Sequence, residues 1–407
     1  MAAPEEKTPA DADEPEEFEV INAGNEKPSV EAAGDAADET AEGDDESPKP
    51  PQSAESDVLA GGPTGIAGSG LERNAAERLV EDLESKGRDA RIQEVRIPAS
   101  ESATITLHAL LVLAASLIGL DWPAIGASIC LLAIFSFYAE RGFGLRLLGR
   151  VIPGRRTNNV LSPPPGPAWE EVEVVLAAGY DVPDSYPVGE WLSRRFSGQL
   201  TTDRILFYGG MIGTFAALML RAVEIEDTAL NVFQTLAAAI PLGVIAAQID
   251  RMLAGTPVAT QEDLAPARDV MAAAREADND SEGDSGVAVC LFGAGFAGAG
   301  GAMAFFGDSR LRLKSDCAVI NLLRGARASS PEVTGSEGDL LPTRMSPELA
   351  AESPLQPKTV ALRGQTAATI ARRRGLRATT VVGRGEAGVD VILDAAEGAL
   401  PANEENA

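Results

Sequence analysis

The sequence predicts an α/β chain in which one three-layer, mixed-sheet domain is interrupted by two transmembrane helical hairpins. Three observations carry this reading. Short apolar strands near residues 90–97, 171–177, 286–293 and 317–323 alternate with helical segments, the pattern of largely parallel strands covered on both faces. Between them fall two pairs of long apolar runs, none with the polar face of an amphipathic core helix. A third signature, residues 285–306 (SGVAVCLFGAGFAGAGGAMAFF), reads as an apolar strand, a Gly-rich turn and a small-residue helix ending on Phe305 and Phe306.

Composition bounds the rest. The 407 residues, 45% hydrophobic, suffice for one large domain with accessory segments. Net charge is -27, and residues 1–60 carry 19 Asp and Glu against three Lys. Such a segment cannot offset its ordering entropy, so it is expected to be an acidic disordered tail, solubilising rather than a specific interaction arm. The acidity argues against nucleic acid as a partner, because binding a polyanion needs a basic surface. The acidic start, without a short apolar core and cleavage site, predicts no secretory signal. Cys130, Cys290 and Cys317 sit in apolar surroundings and read as small buried hydrophobes, as in a reducing compartment.

In chain order, residues 69–86 predict a helix opened by Ser69 and Glu72 as a capping box and stopped at Gly87; residues 90–97 follow as a strand. The apolar runs are 103–120 with 123–138, and 205–220 with 229–249; the first, third and fourth are long enough for a bilayer and the second is marginal unless Ala139 extends it. Buried helices of a soluble core are the alternative. Lys86, Arg88, Arg91 and Arg96 precede the first run, Arg141, Arg146, Arg150, Arg155 and Arg156 follow the second, and Arg194, Arg195 and Arg204 precede the third. Arg251 follows the fourth, and the connecting loops carry only Arg221. The positive-inside rule therefore predicts hairpins whose loops lie outside and a soluble domain in the cytoplasm, with Trp122 as an interfacial anchor. The expected organisation is a tail at 1–60, domain pieces at 61–102, 141–203 and 251–400, hairpins at 103–140 and 204–250, and a short tail at 401–407.

Taken in order, these segments resemble the dinuclear zinc exopeptidase family of bacterial leucyl aminopeptidases, aminopeptidase Y and the transferrin receptor ectodomain. In that family the Gly-rich segment reads Glu-Glu-x-Gly-x-x-Gly-Ser. Here Gly298, Gly301 and Phe305 match its frame, whereas the general-base Glu falls on Gly295 and the ligand Glu beside it on Phe296. Residues 157–161 and 171–181 resemble the family's paired strands, the second ending Ala-His-x-Asp; the zinc-binding His falls on Gly179, while the orienting Asp is retained as Asp181, reduced to a turn or cap role before Pro183. Residues 262–275 resemble the helix carrying the bridging Asp, with Glu262 or Asp263 nearest it. Residues 317–323 resemble the strand whose ligand Asp falls on Leu323. A helix at 366–375 and a strand at 378–382 precede the place of the last ligand His, where Glu386 and Asp390 are the nearest groups. The sole His, His108, lies in the first apolar run.

The resemblance spans residues 60–400 and implies the fold, with zinc as the family's cofactor. Zinc needs three or four converging N, S or O ligands and catalysis a base beside the bound water, so the losses imply a pseudopeptidase without metal that binds or scaffolds another protein at the cytoplasmic membrane face. A membrane-bound hydrolase with an unconventional site is the alternative. Dinucleotide binding is a second one, because Gly293, Gly295 and Gly298 spell G-x-G-x-x-G between a strand and a helix, although no acidic residue ends the second strand. A channel or transporter has only His108, Arg221, Gln234 and Gln248 to line a path, too little for one.

Overall fold

Ser69 opens the first helix, α1 (Gly70–Ser85), by accepting from the Glu72 amide at 3.2 Å. Its end is a Schellman turn: Gly87 sits at φ +84°, its N–H reaches Glu84 O, and the Arg88 N–H reaches Leu83 O. Only half of the predicted capping box forms, because the Glu72 carboxylate turns inward. The computed structural model describes residues 63–97, 101–143, 145, 147–164, 169–182, 202–225, 227–253, 264–280, 286–295, 299–308, 312–324, 330–338, 342–351, 353–362, 364–383 and 385–399.

One sheet gathers nine strands: β1 (Arg91–Ile97), β2 (Arg155–Ser162), β3 (Val174–Gly179), β4 (Val287–Phe292), β5 (Ala318–Arg324), β6 (Glu332–Glu337), β7 (Thr343–Arg344), β8 (Lys358–Leu362) and β9 (Arg377–Gly383). Their order is β1-β2-β4-β3-β5-β9-β6-β7, with β8 on β6. The central four, β4, β3, β5 and β9, are parallel and largely buried on both faces, as the continuous apolar runs of β3 and β4 demand. All four segments expected to be strands share this sheet. One pairing differs: β2 and β3, expected as neighbours, are separated by β4, to which β2 is antiparallel. The short polar strands β6 and β8 escape the sequence pattern; β6 breaks register with β8 between Thr334 and Ser336, where Gly335 sits.

Helices cover both faces. On one, α1, α6 (Ala265–Asp280) and α9 (Gly385–Glu397) pack Leu79, Leu83, Val270, Met271, Val391 and Ile392 onto Val174, Leu176, Val289 and Ile320. Opposite them, α7 (Gly300–Gly307) and α8 (Ala367–Arg373) pack Phe305 and Ile370 onto Val175, Ala177, Cys290, Phe292 and Val319. Strand positions thus alternate between the two cores with the period of two that the pleat imposes. Arg88 ties the first layer together through a two-pronged pair with Asp278 (2.6 and 2.9 Å) and a bond to Val287 O.

The apolar runs form four helices: α2 (Glu101–Ile118), α3 (Pro123–Phe143), α4 (Thr202–Ala222) and α5 (Thr228–Leu253). Two of them, over Pro123–Glu140 and Thr228–Asp250, are long and apolar enough to cross a membrane. The apolar stretches Ser102–Ile118 and Phe207–Ala222 are shorter, reversing the expected ranking of the first two runs, because α3 continues past Ala139. Among them Phe137 stacks against His108, Phe207 and Tyr208, each ring centroid 5.2 Å away. Polar side chains turn inward: Gln234 Nε2 donates to Ser116 O and Oγ at 3.1 Å, and His108 lies between Thr104 O (2.8 Å) and Ser136 Oγ (3.1 Å). The α2–α3 turn closes on Gly119 and Gly126, where a methyl on Gly126 would lie 2.5 Å from Ala115 O and 2.8 Å from Gly119 Cα. Gly126→Val is accordingly expected to cost about 1–3 kcal/mol through overpacking against backbone, read as a lowered melting point in detergent.

Candidate functional site

Strand order puts a crevice at the carboxyl ends of β3 and β4. From β3 the chain runs through α4, α5 and then α6 to β4 on one side, and then through α7 to β5 on the other side of β3. Connections diverging in this way open a cleft outside the strand ends, where open α/β sheets bind ligands.

This cleft is filled by the protein's own backbone and one carboxylate. Gly179 ends β3 opposite Phe292, and the next amide, Tyr180 N, donates to Phe292 O at 3.3 Å. Asp181, buried, accepts from Gly295 N at 2.7 Å. A methyl on Gly295 would stand 2.9 Å from Gly179 Cα and 3.1 Å from Asp181 Oδ1; one on Gly301 would stand 2.2 Å from Gly293 O. The glycines are therefore required for close approach, while the left-handed conformations of the turn fall on Ala294 (φ 56°) and Ala299 (φ 55°). Asp181, expected as a turn or cap residue, instead clamps the Gly-rich turn to the end of β3.

Beneath the turn lies a polar knot centred on Glu72. Its Oε1 accepts from Thr157 Oγ1 (2.7 Å), Asn158 N (3.0 Å) and Tyr180 OH (2.8 Å), and its Oε2 from Gly68 N (3.1 Å). Tyr180 OH also contacts Asn158 O. Gly293 lies directly above, its N–H on Asn158 O, and a methyl there would stand 2.4 Å from Asn158 O, Glu72 Oε1 and Thr157 Oγ1. Burial, reinforced by the Glu72 charge, holds the Tyr180 hydroxyl well above a phenol's ordinary 10.0. Sequence reading missed this knot because Glu72 fits a capping box equally well and three of its four partners lie 85 to 108 residues away. A second enclosed carboxylate, Glu337, accepts from Thr334 Oγ1 and Thr366 Oγ1, each 2.6 Å, and from Thr369 Oγ1.

Of the positions the resemblance singles out, the structure brings Gly179, Asp181 and Gly295 together. Leu323 lies on β5 one step past the Ala178–Leu322 pair, at the level of Gly179, half-buried rather than open to a cleft. Glu386 falls in the first turn of α9, after β9; Asp390, one turn on, is exposed. Glu262, Asp263, Phe296 and Gly298 lie outside the described residues. Among those described, no group of three or more His, Cys, Asp or Glu side chains is placed to share a metal ion. The residues at the strand ends do not fit the family's zinc: two are glycines in van der Waals contact, and the carboxylate beside them is spent on a backbone amide.

The same contacts bear on dinucleotide binding. A pyrophosphate needs free N–H groups at the turn, but Gly293 N is bound to Asn158 O and Gly295 N to Asp181 Oδ1. Thiol chemistry has no foothold either: burial pushes Cys290 well above its ordinary value and Cys317 up to about 12, so neither supplies a thiolate near neutral pH. Both are expected to stay unmodified by maleimide until the protein is unfolded, which mass spectrometry reads directly.

No protein-family description matches the chain, and no curated protein is similar to it. Solved structures similar to it include an aminopeptidase from Aneurinibacillus sp. strain AM-1, at 10% identity and a TM-score of 0.39, covering 84% of this chain and 91% of the other. BSAP, a zinc aminopeptidase from Bacillus subtilis, is similar at 10% identity and a TM-score of 0.37, covering 84% of this chain and 92% of its own.

Proposed function

We propose that this chain is a membrane-anchored, peptidase-like domain whose catalytic crevice has been converted into structure, and that it acts by binding or scaffolding another protein at the cytoplasmic membrane face. One observation supports the reading: Asp181 Oδ1 accepts from Gly295 N at 2.7 Å and Gly295 packs against Gly179, which commits the carboxylate to backbone and leaves little room for a side chain at 295. A hydrolase with an unconventional site would need an open cleft there. The expected result is no stoichiometric zinc on the purified protein and no release of amino acids from aminoacyl substrates. Tightly held zinc with chelator-sensitive cleavage would restore the hydrolase.

Anchoring rests on where apolar surface lies. All but two of the exposed large apolar side chains among the described residues, Ile92 and Leu355, fall between Leu110 and Leu253; Leu117, Trp122, Phe135, Leu236 and Leu242 are among them. With His108, Ser136, Gln234 and Gln248 buried within an apolar interior, the helices turn polar side chains inward and large apolar ones outward, the reverse of a soluble bundle's surface. Two hairpins each returning to the starting side allow residues before, between and after them to complete one sheet.

Topology has a direct check. All three native cysteines are buried, so single reporters label over a silent background. An impermeant maleimide applied from outside is expected to label Asp121→Cys and Asp227→Cys but not Glu77→Cys or Lys358→Cys, all exposed positions. Opposite sidedness of residues 77 and 358 would overturn the two-hairpin arrangement.

A further inference from the structure

We propose that the segment after α3 is an anionic-phospholipid site, in which Leu145, Leu147 and Val151 enter the acyl boundary and Arg150 and Arg155 hold phosphate-bearing headgroups. It rests on the membrane-anchoring reading and goes beyond it by naming a lipid class. Residues 141–156 contain five arginines and no acidic residue, in a chain of net charge -27. A run of this kind immediately beside a membrane helix is the electrostatic complement of an anionic leaflet.

Geometry adds what composition cannot. The segment folds back along α3: Leu145 N donates to Ala139 O at 3.1 Å, and Leu148 N donates to Ser136 Oγ at 3.2 Å. Ser136 is itself held by His108 Nε2 (3.1 Å), so the fold-back is fixed to the interior of the bundle. Leu145 and Leu147 therefore stand level with residues 136–139, inside the apolar span Pro123–Glu140, and are 59% and 43% exposed. Val151, 76% exposed, closes the following turn, Leu148–Val151. Arg150 and Arg155 are exposed on either side of Val151. Arg156 is different, since it pairs with Glu94 at 2.7 Å across the β1–β2 edge. Large apolar side chains at bilayer depth, followed along the chain by Arg150 and Arg155, are the make-up of an interfacial segment. The guanidinium fork matches phosphate oxygens bidentately.

The experiment uses the full chain in nanodiscs of phosphatidylcholine with increasing phosphatidylglycerol, reading hydrogen exchange of the 145–151 amides. Protection is expected to rise with phosphatidylglycerol and to fall at high salt. In Arg150→Gln and Arg155→Gln the half-saturating phosphatidylglycerol fraction should rise about fivefold each. Leu145→Ser with Leu147→Ser should lower protection at every composition without removing the phosphatidylglycerol dependence. Equal protection in pure phosphatidylcholine and in mixed discs overturns the proposal. So does salt-sensitive protection already complete in pure phosphatidylcholine, which would assign the arginines to the chain's own acidic residues 1–60. A chain that incorporates stably but ignores phosphatidylglycerol sinks only the lipid site; one extracted by alkaline carbonate removes the anchoring reading and the site together.

Discussion

Introducing the catalytic residues of zinc exopeptidases at the positions that resemble theirs, Gly179→His, Gly295→Glu, Phe296→Glu and Leu323→Asp, is expected to yield a destabilised protein without zinc, not an enzyme. The steric reason precedes the chemical one. Any side chain at 295 begins with a Cβ 2.9 Å from Gly179 Cα, and backbone on a central strand cannot move aside as a flexible side chain can. Gly295→Ala alone should therefore cost about 1–3 kcal/mol, with Gly179→Ala milder because its Cβ would clear Gly295 Cα at 3.4 Å. Thermal melts of the two single variants test the packing, and metal analysis of the fourfold variant tests the chemistry. A fourfold variant that melts like the native chain and holds zinc would show that the crevice opens and that only its ligands had been lost.

Removing Glu72 should have the other large effect. Glu72→Ala removes a buried acceptor shared by four donors; exposed Gly68 N can turn to water and Tyr180 OH keeps Asn158 O, so Thr157 Oγ1 and Asn158 N bear most of the loss. The expected loss is about 3–5 kcal/mol, measured by denaturant titration, because buried donors left unpaired cost far more than the bonds contribute net. Tyr180→Phe removes one donor and should cost about 1 kcal/mol, and the double variant should lose less than the sum of the two. Alkaline pH probes the same knot. Burial first, and Glu72 second, raise the folded-state pKa of Tyr180 above its unfolded value. Its contribution is therefore fully present below about pH 10 and is lost as pH rises toward the folded pKa. Against a Tyr180→Phe control, the Tyr180 hydroxyl should accordingly fail to ionise in an ultraviolet titration until the protein unfolds.

Much of this protein was legible along the chain. The runs 174–179 and 287–292, and 318–323 apart from Asn321, are parallel strands because a strand buried on both faces is apolar at nearly every position. The four long apolar runs are helices because a helix satisfies its backbone groups within the run itself. Caps at Ser69 and Thr366, and stops at Gly87 and Gly375, were set by local chemistry within one turn. Only the tertiary structure decided the rest. That β2 lies beside β4, that Glu72 turns from cap to core, and that Asp181 closes on Gly295 all depend on residues 85 to 131 positions apart. Helical and pleated periods report which side of an element is apolar, but not which distant element will cover it. Glycine carries the same ambiguity: Gly179, Gly293, Gly295 and Gly301 read as a nucleotide turn or a gutted active site until the packing shows backbone in the space their side chains would have taken.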